Sequence, residues 1–166
     1  MLFNFMISCA HSDVGTVPYV DRDRFMGDWY VIAGRFTSFE DKAHNAIERY
    51  HWNEEKQRID IDFSFNYGAL NGPLKKIPQK AWITNEQTNS TWKISPFWPL
   101  KFTYLVIALD QNYEWTVIGV PNKKYLWLMS RTPELSREKS EAILKQIEAS
   151  GYSIENIVWV PHTKKK

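Results

Sequence analysis

The sequence predicts an all-β domain, an eight-stranded antiparallel up-and-down barrel with one α-helix near the C-terminus packed outside it and a short final strand. Three observations carry this expectation. Apolar residues recur at every second position in run after run, the period of a strand with one buried face. Turn-forming residues separate those runs at short intervals, too short for the crossover helices that parallel strands need. One stretch alone, after Ser136, changes to helical spacing. Closure into a barrel is favoured because it removes exposed strand edges; a two-sheet sandwich is the alternative.

The N-terminus opens on an apolar run, Met1 to Cys9, followed by a polar, turn-rich spacer from His11 to Tyr19. Two readings fit the run: the end of a bacterial lipoprotein signal with Cys9 as the acylated residue, or a terminal tail with an incidental cysteine. Met6, Ile7 and Ser8 stand where such signals prefer Leu and small residues, and no basic segment precedes them. The domain is expected over 21–162, with a tail at 1–20 and a basic tail at 163–166.

Trp29, Val31 and Ala33 alternate after Gly27 and form the first strand. Asn53-Glu54-Glu55 turns the chain into Ile59, Ile61, Phe63 and Phe65, which alternate with Asp60, Asp62 and Ser64. Further turns fall at Asn66 to Pro73, Asn85 to Asn89, Pro96 to Pro99, Asp110 to Asn112, and Pro121-Asn122. Between the later ones lie the β-branched and aromatic runs Phe102 to Leu109, Trp115 to Val120 and Tyr125 to Met129. Ser136 can cap the helix, Ile143, Leu144 and Ile147 form one face of it, and Gly151 ends it. Asn156 to Val160 is the last strand.

Composition narrows the function. The 166 residues include 8 Trp, 8 Tyr and 9 Phe, 15% aromatic, which calls for a generous core or an apolar cavity. A net charge of +2 is too small for a whole-surface nucleic-acid binder. A single cysteine permits neither an internal disulfide nor a thiolate zinc cluster. His44 and His51 differ in strand parity and therefore face opposite sides, against a shared metal. No phosphate-binding glycine loop, metal spacing or serine nucleophile motif is visible, so neither an enzyme nor a cofactor is expected.

Gly27-Asp28-Trp29-Tyr30, Asp110-Gln111-Asn112-Tyr113 and Ser130-Arg131-Thr132-Pro133 resemble, in order, the three signature segments of the lipocalin family. The likeness runs from about Asp21 to His162 and is greatest toward bacterial outer-membrane members, on the stretches GDWYVIAGRF, YLVIALDQNY and KKYLWLMSRTPELS. It implies a calyx for an amphipathic lipid, a fatty acid or lysophospholipid, an outer-membrane lipid anchor facing the periplasm, and a homodimer. A lipid-independent protein-interaction barrel and a lipocalin-fold enzyme are the alternatives. Topology supplies an independent check. Alternate loops of an up-and-down barrel share an end, so Gly27, Trp29, Asp110, Tyr113 and Arg131 converge on one pole. Arg131 can then lie over the Trp29 indole and close the base.

The other pole is the mouth, with Arg35, Phe36, Phe39, Lys75, Lys76, Phe97, Trp98 and Lys101 on its loops and Glu40 and Asp41 as acidic exceptions. A basic, aromatic rim suits a membrane surface; purely solubilising lysines are the plainer explanation. Guided by the family pattern, the calyx wall is expected from Val31, Ala33, Ala46, Glu48, Tyr50, Ile61, Phe63, Phe65, Ala81 and Ile83. On later strands it takes Trp92, Ile94, Tyr104, Val106, Ala108, Thr116, Ile118 and Trp127. A filled core is the alternative to a tapered slot. Glu48 is anomalous, because an unpaired buried carboxylate is expensive. Either it orients a polar ligand group or the local register is shifted by one. Phe63, Phe65 and Trp92 are bulkier than the resemblance suggests and narrow the slot.

Overall fold

A computed structural model describes residues 15–38 and 40–163. Its strands are β1 (Gly27–Arg35), β2 (Ala43–Asn53), β3 (Arg58–Tyr67), β4 (Leu74–Ile83), β5 (Thr91–Ser95), β6 (Phe102–Leu109), β7 (Trp115–Gly119), β8 (Leu126–Ser130) and β9 (Val158–Trp159). Neighbours in sequence pair antiparallel from β1 to β8, and β8 pairs back onto β1, closing an eight-stranded barrel. β2 accompanies β1 only as far as Tyr30 opposite Ile47; beyond that β9 takes its place beside Ala33 and Gly34. The expected fold is the observed one.

Two helices serve different ends. α2 (Arg137–Ala149) starts at Ser136, whose hydroxyl accepts from the Lys139 amide, and Gly151 comes after it at φ +88°. Its Ile143, Leu144 and Ile147 pack on Ile32, Val117, Leu126 and Leu128 of the barrel's outer wall. The one-turn α1 (Arg22–Phe25) is not signalled by the sequence pattern. Asp21 caps it by accepting from the Asp23 and Arg24 amides, and its fully buried Phe25 enters the interior cluster from the base.

The spacer expected through Tyr19 is docked from Val17 onward. Val17 donates its amide to the Val106 carbonyl at 2.9 Å, and Val20 is fully buried. Irregularities interrupt three ladders, at Ile32 in β1, between His44 and Ile47 in β2, and at Ile107 in β6. Each extra residue exchanges the inner and outer faces for the remainder of its strand.

Candidate functional site

The base is closed by side chains from three segments and backbone groups of a fourth, around α1. The Arg131 guanidinium lies 3.7 Å over the Trp29 ring and donates to the carbonyls of Tyr113 (3.2 Å), Asp28 (2.9 Å) and Arg24 (2.6 Å). Gly27 adopts φ +95° beside it, with Arg131 Nη1 3.4 Å from where a Cβ would stand. The Asp110 carboxylate accepts from the Asn112 and Glu114 amides and holds the β6–β7 turn. The Tyr113 hydroxyl accepts from the Asp21 amide at 2.8 Å. These groups tie loop to loop, and their polar atoms are engaged in closing this pole.

Above the base a stack of rings occupies the barrel. Trp29 meets Phe25 at 5.1 Å between centroids, Phe25 meets Trp92 at 5.2 Å, and Trp92 stacks on Tyr104 at 5.6 Å and 13°. Tyr104 reaches Trp127 at 6.4 Å, toward the mouth. Trp29, Trp92, Tyr50, Ile61, Val106, Ile118 and Met129 are so fully buried that none fronts a water-sized hollow. The lower barrel is therefore filled. Phe36, Ile77 and Trp127 are only partly buried and mark where the interior opens toward the mouth.

A polar cluster lies between these two levels. Glu48, only 6% exposed, stands opposite Trp29 and Phe63 and points inward. Its carboxylate accepts from the Tyr50 hydroxyl, and the Tyr50 oxygen lies 2.7 Å from the Tyr104 hydroxyl, which donates to it. The register in β2 is therefore not displaced at Glu48; Tyr50 partners it and is in turn partnered by Tyr104. Burial drives its pKa from 4.5 to about 7, against the Tyr50 hydrogen bond and with added repulsion from Glu40. Burial also raises Tyr50 and Tyr104 well above the ordinary tyrosine value, so both stay protonated donors. Glu40, from the β1–β2 loop, is buried as well. It accepts from the Thr37 amide and hydroxyl and from Trp127 Nε1, and burial raises its carboxyl above the usual range.

Most of the expected wall residues come together. Val31, Ala46, Tyr50, Ile61, Phe63, Phe65, Ala81, Trp92, Ile94, Tyr104, Val106 and Ile118 share one interior cluster, with Ile83 and Trp127 packed against it. Thr116 is fully buried between Leu109 and Met129, its hydroxyl donating to the Ala108 carbonyl. Ala33 lies elsewhere. The bulge at Ile32 sets it opposite Leu128 and Trp159, in the layer under α2. Ala108 is turned out likewise, opposite Val117, by the bulge at Ile107.

At the mouth the expected residues also divide. Phe36 packs against the interior, and Lys75 pairs with inward-facing Phe65. Lys76 pairs with Ser64 on the outer face. Lys101 sits 4.4 Å over the Trp82 ring, and Phe97 and Trp98 are exposed. Arg35 does not face the opening: it pairs with outward Leu126 and reaches the Ser153 carbonyl at 3.5 Å. Cys9 and Phe39 lie outside the described residues. Sequence reasoning missed Phe25, Met129 and Glu40 as interior groups; only the parity of Met129 with Trp127 in β8 could have signalled one of them.

A family model described as a lipocalin-like domain matches residues 20–162. The outer membrane lipoprotein Blc of Escherichia coli K12 is 30% identical over 147 residues, covering 89% of this chain and 82% of that protein. Temperature-induced lipocalin-1 of Arabidopsis thaliana is 26% identical over 159 residues, covering 91% and 84%. Among solved structures, lobster apocrustacyanin A1 aligns with a TM-score of 0.68 at 12% identity, covering 87% of this chain and 81% of that one. Insecticyanin from the tobacco hornworm Manduca sexta aligns with a TM-score of 0.67 at 16% identity, covering 92% and 86%; both show the fold. A barrel of eight antiparallel strands, a helix on its flank, a base closed by arginine over tryptophan and a family match across most of its length lead to one assignment: the chain belongs to the lipocalin-like family.

Proposed function

We propose that this protein carries an amphipathic lipid with one acyl chain, a fatty acid or lysophospholipid, in the mouth half of the barrel. The observation that carries the reading is the contrast between the two poles. The base is filled and capped, whereas Phe36, Ile77 and Trp127, toward the mouth above Tyr104, are partly accessible. Apolar lining with a few fixed polar groups is the usual make-up of a small-molecule site. Lys75, on the inward face beside Phe65, is the counter-charge for a phosphate or carboxylate head. Two large rings side by side on one wall, Phe63 and Phe65 of β3, take up room in the barrel and favour a ligand with one chain.

The proposal includes a place in the bacterial envelope, tethered through acylated Cys9 with the barrel facing the periplasm. Its support is the apolar run from Met1 to Cys9 and the relatives named outer membrane lipoproteins. The filled lower barrel favours a second reading, a protein-interaction barrel that binds no lipid.

Titrating delipidated protein with lysophospholipid, followed by tryptophan fluorescence, separates the two. Ile77→Trp fills the accessible slot and should abolish uptake while the fold survives. Val106 is unsuited to this test, because no space lies beside it. Unchanged binding by Ile77→Trp refutes the calyx site, and absence of binding by the unaltered protein favours the interaction barrel.

A further inference from the structure

Among the described residues, the exposed large apolar side chains other than Tyr19 gather on the mouth side. Leu70, Leu74, Phe97, Trp98, Leu100 and Phe102 are between 43% and 82% exposed, Trp98 the most. Leu70 and Leu74 belong to the β3–β4 hairpin and the start of β4, and Phe97, Trp98, Leu100 and Phe102 to the β5–β6 loop and the start of β6; the pairing of Ser95 with Lys80 sets that loop along β4, on the same side of the mouth as the hairpin. Large rings and leucines held on loop tips in water have no folding role here. A contiguous patch of that kind marks a surface that is covered in use.

Charge indicates what covers it. From residue 63 to 109 the chain carries five lysines (Lys75, Lys76, Lys80, Lys93 and Lys101) and one carboxylate, Glu86, in the β4–β5 loop at the base. The mouth side of β4, β5 and β6 is thus apolar at its tips and cationic behind them, its lysines outnumbering Asp60 and Asp62 of β3, which stand opposite Lys80 and Pro78. Tryptophan and phenylalanine ahead of lysines is the arrangement that fits an anionic bilayer: rings enter the head-group boundary and ammonium groups meet phosphates. The opposite side of the mouth carries exposed Asp41 on the β1–β2 loop, so contact is one-sided and the barrel leans onto β4 and β5.

We propose that the protein docks mouth-down on an anionic phospholipid bilayer, with Phe97, Trp98 and Leu100 immersed at the head-group boundary and Lys75, Lys76 and Lys101 on lipid phosphates. Docking is independent of acylation and of lipid uptake. Where the carrier reading also holds, an acyl chain passes between leaflet and slot without crossing water.

The test uses the Cys9→Ser chain, so that no acyl anchor contributes, floated with vesicles of phosphatidylglycerol and phosphatidylcholine or of phosphatidylcholine alone. The mixed vesicles should carry the protein up, weakly at high salt, and the neutral ones should not. Lys75→Ala, Lys76→Ala and Lys101→Ala together should lower the partition coefficient about a hundredfold. Phe97→Ser with Trp98→Ser should lower it at least about tenfold, with unchanged thermal unfolding. Lys139→Ala on α2 should leave it unchanged, and Ile77→Trp should still float, which separates this proposal from the carrier reading. No flotation with anionic vesicles, equal flotation with neutral ones, or indifference to the Phe97 and Trp98 substitutions each overturns the proposal.

Discussion

Glu48→Gln should make the protein more stable above neutral pH and remove most of its stability change between acid and neutral solution. The carboxyl is buried in the barrel, and burial moves its pKa from 4.5 to about 7. The folded state therefore holds a proton that the unfolded state has released across that interval. Linkage sets the sign: the stability this proton provides is fully present below about pH 4.5 and is lost as pH rises through about 7. A displacement of that size corresponds to about 3 kcal/mol, a large share of the stability of an ordinary domain. Glutamine keeps an oxygen to accept from the Tyr50 hydroxyl but has no proton to lose. Urea unfolding of both proteins from about pH 5 to about pH 8 should show the unaltered chain weakening by roughly 3 kcal/mol relative to the variant. Glu40 is present in both, so its own titration largely cancels in the difference. Parallel curves would refute the reasoning and show that Glu48 is solvated or paired in the folded protein.

Arg131→Ala removes the guanidinium over Trp29 and leaves three carbonyls without a donor. Chemical denaturation should show a loss of about 1–3 kcal/mol with lipid affinity nearly unchanged, and a large affinity loss at constant stability would mean that the poles are reversed. His162 donates from Nε2 to the Val31 carbonyl, and burial lowers its pKa from 6.5. Its contribution is present above 6.5 and lost as pH falls below it, so His162→Gln should flatten the acid limb of a melting-temperature profile. Phe25→Ala empties the centre of the ring stack and should cost about 3–5 kcal/mol.

Strand periods, turn residues and the Ser136 cap made the barrel and α2 legible, because each depends on neighbours in sequence. Facing was legible only until a bulge intervened. Ile32 and Ile107 are β-branched like the residues around them, and nothing in their type marks an extra residue in the ladder. Parity counted through them therefore puts Ala33, Arg35 and Ala108 on the wrong face. Glu48 was ambiguous for a different reason. Its parity pointed inward and its charge argued against that; its partner, Tyr50, is two residues along the same strand, but the Tyr104 hydroxyl that completes the network comes from four strands away around the ring. Phe25 was hidden in Arg22-Asp23-Arg24-Phe25, too short and too charged to show a helical period.

The filled lower barrel bears on how a carrier of this form works. Phe25 meets both Trp29 and Trp92, and all three are fully buried by the protein's own side chains, which stabilises the base of the barrel. Phe25 comes from α1, outside the sheet, and the base therefore acts as a plug fastened through Arg131 and Tyr113. Ligand binding then adds area only at the mouth half, where Phe36, Ile77 and Trp127 still meet water. Below that level the Glu48, Tyr50 and Tyr104 hydrogen bonds form a floor that an acyl chain can pass only by breaking them. In the proposed carrier, a tail held above this floor with its head at Lys75 would stay close to the exposed rim of Phe97 and Trp98. If the proposed site is correct, its shallowness would favour exchange at a membrane surface over long retention, because less apolar area would hold the ligand than in a full-depth calyx.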